Sequence, residues 1–221
     1  MKIFKGNRVI LDLIICICSL IGIVSNFCLF KTPIGLLYYT IFSNLLCFVF
    51  YSISIIKKIF TEFELTTNYI KYKGLVLVSL VCTFLIYNFF MVPTGQVHAY
   101  DGHFFASCFV HIITPILVVA DCIVNGKSKM LKYSYILNWT AAIIIYGIMV
   151  IIYQHLGGLF LEGLNYPYFN FNYVEYGYLK CFFMNIVVVA IYELIAVFII
   201  LVNRKVIKND KEVTHGKGTY I

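Results

Sequence analysis

Two short stretches carry side chains that together could cleave an ester. In Tyr39-Thr40-Ile41-Phe42-Ser43-Asn44, the residues Thr40, Ser43 and Asn44 stand at i, i+3 and i+4, so a helix would turn two hydroxyls and an amide onto one face. In the stretch from Ser107 to Pro115, the residues Ser107, His111 and Thr114 stand at i, i+4 and i+7, again one face. Pro115 has no N–H for the carbonyl of residue 111, which frees that carbonyl and favours a kink. A hydroxyl becomes a useful nucleophile when a neighbouring base takes its proton, and an imidazole with a free pKa of about 6.5 is able to do so at neutral pH. Asn44, Asn88 and Asn185, with Ser43, could donate to the oxyanion of a tetrahedral intermediate or line the site. Each of these side chains also serves as ordinary glue between membrane helices, and spacing alone leaves both readings open.

The elements that must position them are transmembrane helices. Of 221 residues, 62% are hydrophobic and 12% charged, and the mean hydropathy is +0.90. Soluble domains carry about twice that charge fraction. A window of about 19 residues gives six spans, at roughly 9–30, 34–56, 74–92, 103–124, 133–153 and 178–202. Strict polar/apolar alternation is absent, so a membrane β-barrel is excluded and the fold class is all-α, a single six-helix transmembrane domain. The first span starts after a basic segment but runs on without a small-x-small cleavage site, which predicts a retained helix rather than a removed signal.

Charge sets the expected orientation. Lys2, Lys5, Arg8, Lys57, Lys58, Lys71, Lys73, Lys127, Lys129, Lys132, Arg204, Lys205, Lys208, Lys211 and Lys217 fall on one side, 15 of the 17 basic residues, leaving Lys31 and Lys180 opposite. The positive-inside bias predicts both termini in the cytoplasm, with residues 204–221 as a basic cytoplasmic tail. The net charge of +7 then reports topology and contact with anionic lipid headgroups, and nucleic acid is not an expected partner. The expected location is an integral multi-pass protein, in the plasma membrane if the source is bacterial. The eight cysteines lie in or at the ends of spans without CxxC pairs, and read as small apolar filler. Only one histidine is deep in a span and no His/carboxylate cluster has ligand spacing, so neither a metal nor a cofactor is expected.

Depth brings the two stretches together. Thr40 lies about 6 residues, or roughly 9 Å, below the expected outer end of the second span, and His111 about 8 residues, or roughly 12 Å, below that of the fourth. Asp12, Asp121 and Glu193 lie toward the inner ends and read as structural, with Glu193 paired either to a hydroxyl or to Asp121. The fifth loop, residues 154–177, has no Lys or Arg and is crowded with aromatics. Tyr166, Tyr168, Phe169 and Phe171 are expected along the outer interface, as belt anchors or as the entrance for a lipid-like substrate.

At Tyr39-Thr40-Ile41-Phe42-Ser43-Asn44, His111-Ile112-Ile113-Thr114-Pro115 and Tyr166-Pro167-Tyr168, the chain resembles the androgen-induced membrane hydrolases and their bacterial relatives. The resemblance implies an intramembrane threonine hydrolase acting on fatty acid esters of hydroxy fatty acids or similar lipid esters. It places the nucleophile on Thr40 and the histidine on His111, the pair that depth had brought together. The alternative reading is a non-catalytic protein, a multispan lipid-binding or small-solute transport module that uses the same polar face for binding. No inverted repeat and no matched pair of Gly/Pro-broken spans supports transport.

Overall fold

The computed structural model describes residues 2–31, 33–60, 64–93, 104–125, 130–160 and 163–215. Among them there is no strand, and six helices are long and apolar enough to cross a bilayer: Val9–Leu29, Tyr39–Phe60, Thr67–Met91, Phe105–Asn125, Tyr133–His155 and Tyr173–Lys205. The chain is an all-α, multi-pass membrane protein. Helix α1 (Lys2–Phe30) leads through a 3-10 turn (Pro33–Leu37) into α2 (Tyr39–Phe60). Helix α3 (Thr67–Ile86) runs on as a π-helical turn, Tyr87–Met91. The fourth span consists of α4 (Phe104–Cys108), a second π turn (Phe109–Ile113) and α5 (Thr114–Asn125). Then come α6 (Ile136–His155), an aromatic segment containing a 3-10 turn (Phe169–Phe171), and α7 (Tyr173–His215), interrupted at Gly177 by φ 74°. In the expected basic tail, α7 continues through His215, and residues 216–221 lie outside the described part, as do His98, His103, Lys127 and Lys129.

Helix α3 is the central element, packed on α2, α5, α6 and α7, while α1 covers α2, α4 and α5. The core around it includes Ile15, Cys47, Tyr51, Val78, Leu80, Trp139, Tyr192 and Ile200. Two glycines allow close approach: Gly74 faces the Trp139 ring, and Gly22 of α1 faces Phe109 and Val110 of the second π turn. All eight cysteines are free, Cys16, Cys47, Cys82 and Cys181 buried in the packing. The outward surface of α7 carries Phe182, Phe183, Val187, Leu194 and Phe198, all exposed, as a face in contact with lipid chains would.

Two span boundaries differ from expectation, each for a local reason. The apolar run Ile34-Gly35-Leu36-Leu37 belongs to the 3-10 turn, and the first α-helical bond of α2 joins Phe42 N–H to the Tyr38 carbonyl, so α2 starts at Tyr39 rather than 34. Helix α3 starts at Thr67 rather than 74, because the Thr66 side chain accepts the Tyr69 N–H at 3.2 Å and caps it. Lys73 is therefore a helix residue, buried and paired with Asp121 at 2.5 Å, instead of a loop lysine.

Candidate active site

Thr40 is the second residue of α2, where the N–H groups of a helix have no intrahelical acceptor. Two phenols pack against this turn: Tyr168 meets the Tyr38 ring edge-on, and Tyr146 meets the Tyr39 and Phe42 rings. Tyr146 also donates to the Leu37 carbonyl at 2.8 Å.

His111 sits in the π turn of the fourth span, stacked on Tyr87 of the π turn of the third, with ring centroids 3.4 Å apart and planes 8° from parallel. Each π turn widens its helix by one residue and releases carbonyls, and such turns recur at functional sites. Asn88 Nδ2 takes the carbonyl of His111 at 3.2 Å, the carbonyl that Pro115 cannot serve. The imidazole Nδ1 is buried without a hydrogen-bond partner, as are Thr114 Oγ1 and Asn44 Oδ1.

Asn44 ties the two stretches to each other. Its Nδ2 donates to the Thr40 carbonyl at 2.8 Å and to the Val110 carbonyl at 3.1 Å. Thr40 therefore stands one turn, about 6 Å, nearer the aromatic end than the side chain that reaches the residue preceding His111. Asn44 thus joins the two stretches that the sequence had set at similar depth, through the carbonyls of Thr40 and Val110.

The expected oxyanion donors are spent elsewhere. Asn44 gives both amide hydrogens to main-chain carbonyls, Asn88 gives its two to Phe84 (2.8 Å) and His111, and Asn185 gives its two to Asn170 and Cys181, each at 2.9 Å. They clamp helices, since an amide left unpaired in this apolar interior would cost about 1–3 kcal/mol. Ser43 lines the polar face, bonded to the Thr40 carbonyl (2.9 Å) and the Thr83 hydroxyl (3.0 Å). Thr83 donates to the Ser79 carbonyl at 3.0 Å, and the Ser79 hydroxyl pairs with that of Tyr192 at 3.2 Å.

The aromatic segment also departs from expectation. Phe171 is buried against Tyr146, Val150 and Phe160 and is not a lipid-facing entrance residue, whereas Tyr168 is half-buried with its ring on Tyr38. Tyr166 is partly buried in the same cluster, while Phe169 stays 38% exposed beside Phe90. Gln154 pins the segment down with hydrogen bonds to the carbonyls of Asn165 (2.6 Å) and Phe171 (3.1 Å). The segment is a cap over the α2 N-terminus, because its aromatic rings find Tyr38, Tyr39 and Phe42 to pack on.

No known family, curated protein or solved structure matches this chain.

At the lysine-rich end the buried charges are neutralised. Lys58 binds Asp12 at 2.6 Å, and Asp121 accepts from Lys73, Tyr51 (2.8 Å) and Asn125 (2.7 Å). Glu193 accepts from Thr140 at 3.0 Å, the hydroxyl option of the two expected. Among the described residues no three His, Cys, Asp or Glu side chains form a group able to hold a metal. Sequence reasoning passed over Tyr87 and Tyr146. The signal for Tyr146 was present: a phenol midway along an apolar span needs a partner for its hydroxyl.

Proposed function

We propose that this protein is an intramembrane threonine hydrolase cleaving a lipid ester, with Thr40 as nucleophile and His111 as general base. The observation that carries the reading is a buried imidazole with an unpartnered ring nitrogen, held in a π turn and fastened through Asn44 to the turn that presents Thr40. The sequence resemblance to the androgen-induced membrane hydrolases points to the same two residues. Thr40 Oγ attacks the ester carbonyl while its proton passes to the imidazole; the alcohol leaves with that proton; water then releases the acid from the acyl-threonine, His111 again taking and returning a proton. No cofactor enters these steps. The substrate class is a fatty acyl ester that reaches the site from the bilayer. The lysine-rich end faces the cytoplasm and its anionic headgroups, and the aromatic end faces outward.

One observation favours a second reading. Three amides near the site act as clamps, as they would in a lipid-binding or transport module without chemistry. Kinetics in nanodiscs separate the two. Thr40→Ala and His111→Ala each abolish hydrolysis of long-chain hydroxy-acid esters with the folded protein retained, and the double variant is no worse than either single one, since members of one catalytic unit are not additive. Wild-type protein that hydrolyses no ester above background gives the binding module the better claim.

A further inference from the structure

Three buried polar atoms gathered at one helical turn have no hydrogen-bond partner within the protein: Asn44 Oδ1, His111 Nδ1 and Thr114 Oγ1. Asn44 and Thr114 are 0% exposed and His111 8%. Buried polar atoms are as a rule paired, either with protein or with an ordered water. We propose that these three atoms form the site of one buried water, which accepts the His111 Nδ1 hydrogen and so leaves Nε2 free as the base. This rests on the hydrolase reading and supplies the third, orienting group that a catalytic base needs.

The three side chains meet at the Val110 carbonyl. Asn44 gives both amide hydrogens to carbonyls, one of them to Val110 at 3.1 Å, so only its oxygen is left. That oxygen shares a carbon with Nδ2 and lies about 2.3 Å from it, which keeps it within about 5.4 Å of the Val110 carbonyl oxygen. Thr114 follows Val110 by four residues, the spacing at which a threonine hydroxyl stands beside the carbonyl one turn back. His111 is the next residue after Val110, and its ring is held flat on Tyr87, with centroids 3.4 Å apart and planes 8° from parallel. Nδ1, the ring nitrogen nearer the backbone, therefore has its hydrogen-bond direction fixed in that plane. One water spans polar atoms up to about 5.6 Å apart through two bonds of about 2.8 Å, which suits side chains gathered at a single carbonyl.

Donors and acceptors also match. The Asn44 oxygen only accepts, whereas a hydroxyl and an imidazole nitrogen can each donate. A water that donates to Asn44 Oδ1 and accepts from Thr114 Oγ1 and His111 Nδ1 makes three bonds, the usual number for a buried water, and pairs all three atoms. The hydrolase reading selects this tautomer, because an imidazole with its hydrogen on Nε2 has no lone pair there to take the Thr40 proton. During attack the Thr40 proton goes to Nε2, the imidazolium keeps its Nδ1 hydrogen on the water, and the proton returns to the leaving alcohol; the water is not consumed.

Thr114→Val keeps the side-chain shape and removes the hydroxyl, and Thr114→Ser restores it. In nanodiscs, kcat for a long-chain hydroxy-acid ester is expected to fall at least about tenfold in Thr114→Val, with KM changed by a few-fold at most, and to recover in Thr114→Ser. Loosened packing could also lower turnover, so the deciding measurement is solid-state NMR of protein isotope-labelled at the histidine nitrogens, with the His111 signals assigned by their loss in His111→Gln. Nδ1 is expected to be protonated and in contact with water in the wild type, and to lose that contact in Thr114→Val. A protonated Nε2, a dry Nδ1, or Thr114→Val with wild-type turnover and spectrum overturns the role of the water and leaves the hydrolase standing. Retained turnover in Thr40→Ala instead overturns the hydrolase reading itself.

Discussion

Gly22→Ala tests whether the position of the π turn that holds His111 matters for chemistry. A Cβ at Gly22 would lie 2.6 Å from Val110 Cγ1, 3.2 Å from Phe109 Cβ and 3.4 Å from the Val110 amide nitrogen. Carbon atoms in contact rest at about 3.5–4.0 Å, so α1 and the π turn must part by about 1 Å. Val110 cannot yield by rotation, being β-branched and 1% exposed, and the shift falls on the backbone next to His111. In stability the effects nearly offset: alanine favours the helix by about 1 kcal/mol and overpacking costs about 1–3, leaving a loss of up to about 2 kcal/mol. In turnover they do not, because a displacement of about 1 Å in a reacting group can cost about 10²-fold. Hydrolysis of a long-chain ester in nanodiscs, with folded protein quantified by size exclusion, is the assay. Gly147→Ala is the control, since its Cβ would meet Phe171 at an ordinary 3.8 Å and should leave turnover unchanged. Wild-type turnover in Gly22→Ala, or an equal loss in Gly147→Ala, would refute the reasoning.

Three further outcomes are expected. Lys73→Met leaves the Asp121 carboxylate, 1% exposed, with only Tyr51 and Asn125, and should cost about 3–5 kcal/mol in steric-trapping unfolding, whereas the double variant with Asp121→Leu should regain most of it; a double variant no better than the single contradicts the pairing. Single cysteines at the exposed Glu64 and Asn165 should label from opposite sides of sealed vesicles, and labelling from one side would end the proposed orientation. Asn44→Leu removes the clamp between Thr40 and Val110 and should lower kcat by at least about tenfold, with turnover unaffected if the clamp is idle.

The spans were legible because hydrocarbon demands about 20 apolar residues in a row, and such runs survive any detail of packing. Their ends were not. Hydropathy cannot tell the 3-10 turn at 33–37 from the helix after it, and the polar residues Asn68, Lys71 and Lys73 masked a helical turn that Thr66 caps. Pro115 announced a freed carbonyl at residue 111, but not that Asn88 would take it or that both spans would widen into π turns. A sequence shows which side chains can donate; it does not show which have already donated, so Asn44, Asn88 and Asn185 read alike as catalytic groups and as clamps. For the aromatic segment, composition marks a home near the interface, and only packing decides that Phe171 is buried while Phe169 stays exposed.

The central claim is that Thr40 becomes covalently acylated. Purified protein in nanodiscs, treated with a long-chain fluorophosphonate and digested, should carry one phosphonyl adduct on the peptide containing Thr40, with labelling lost in His111→Ala and prevented by excess lipid ester. An adduct on Ser43 or another hydroxyl, or labelling that persists in Thr40→Ala, would contradict the account.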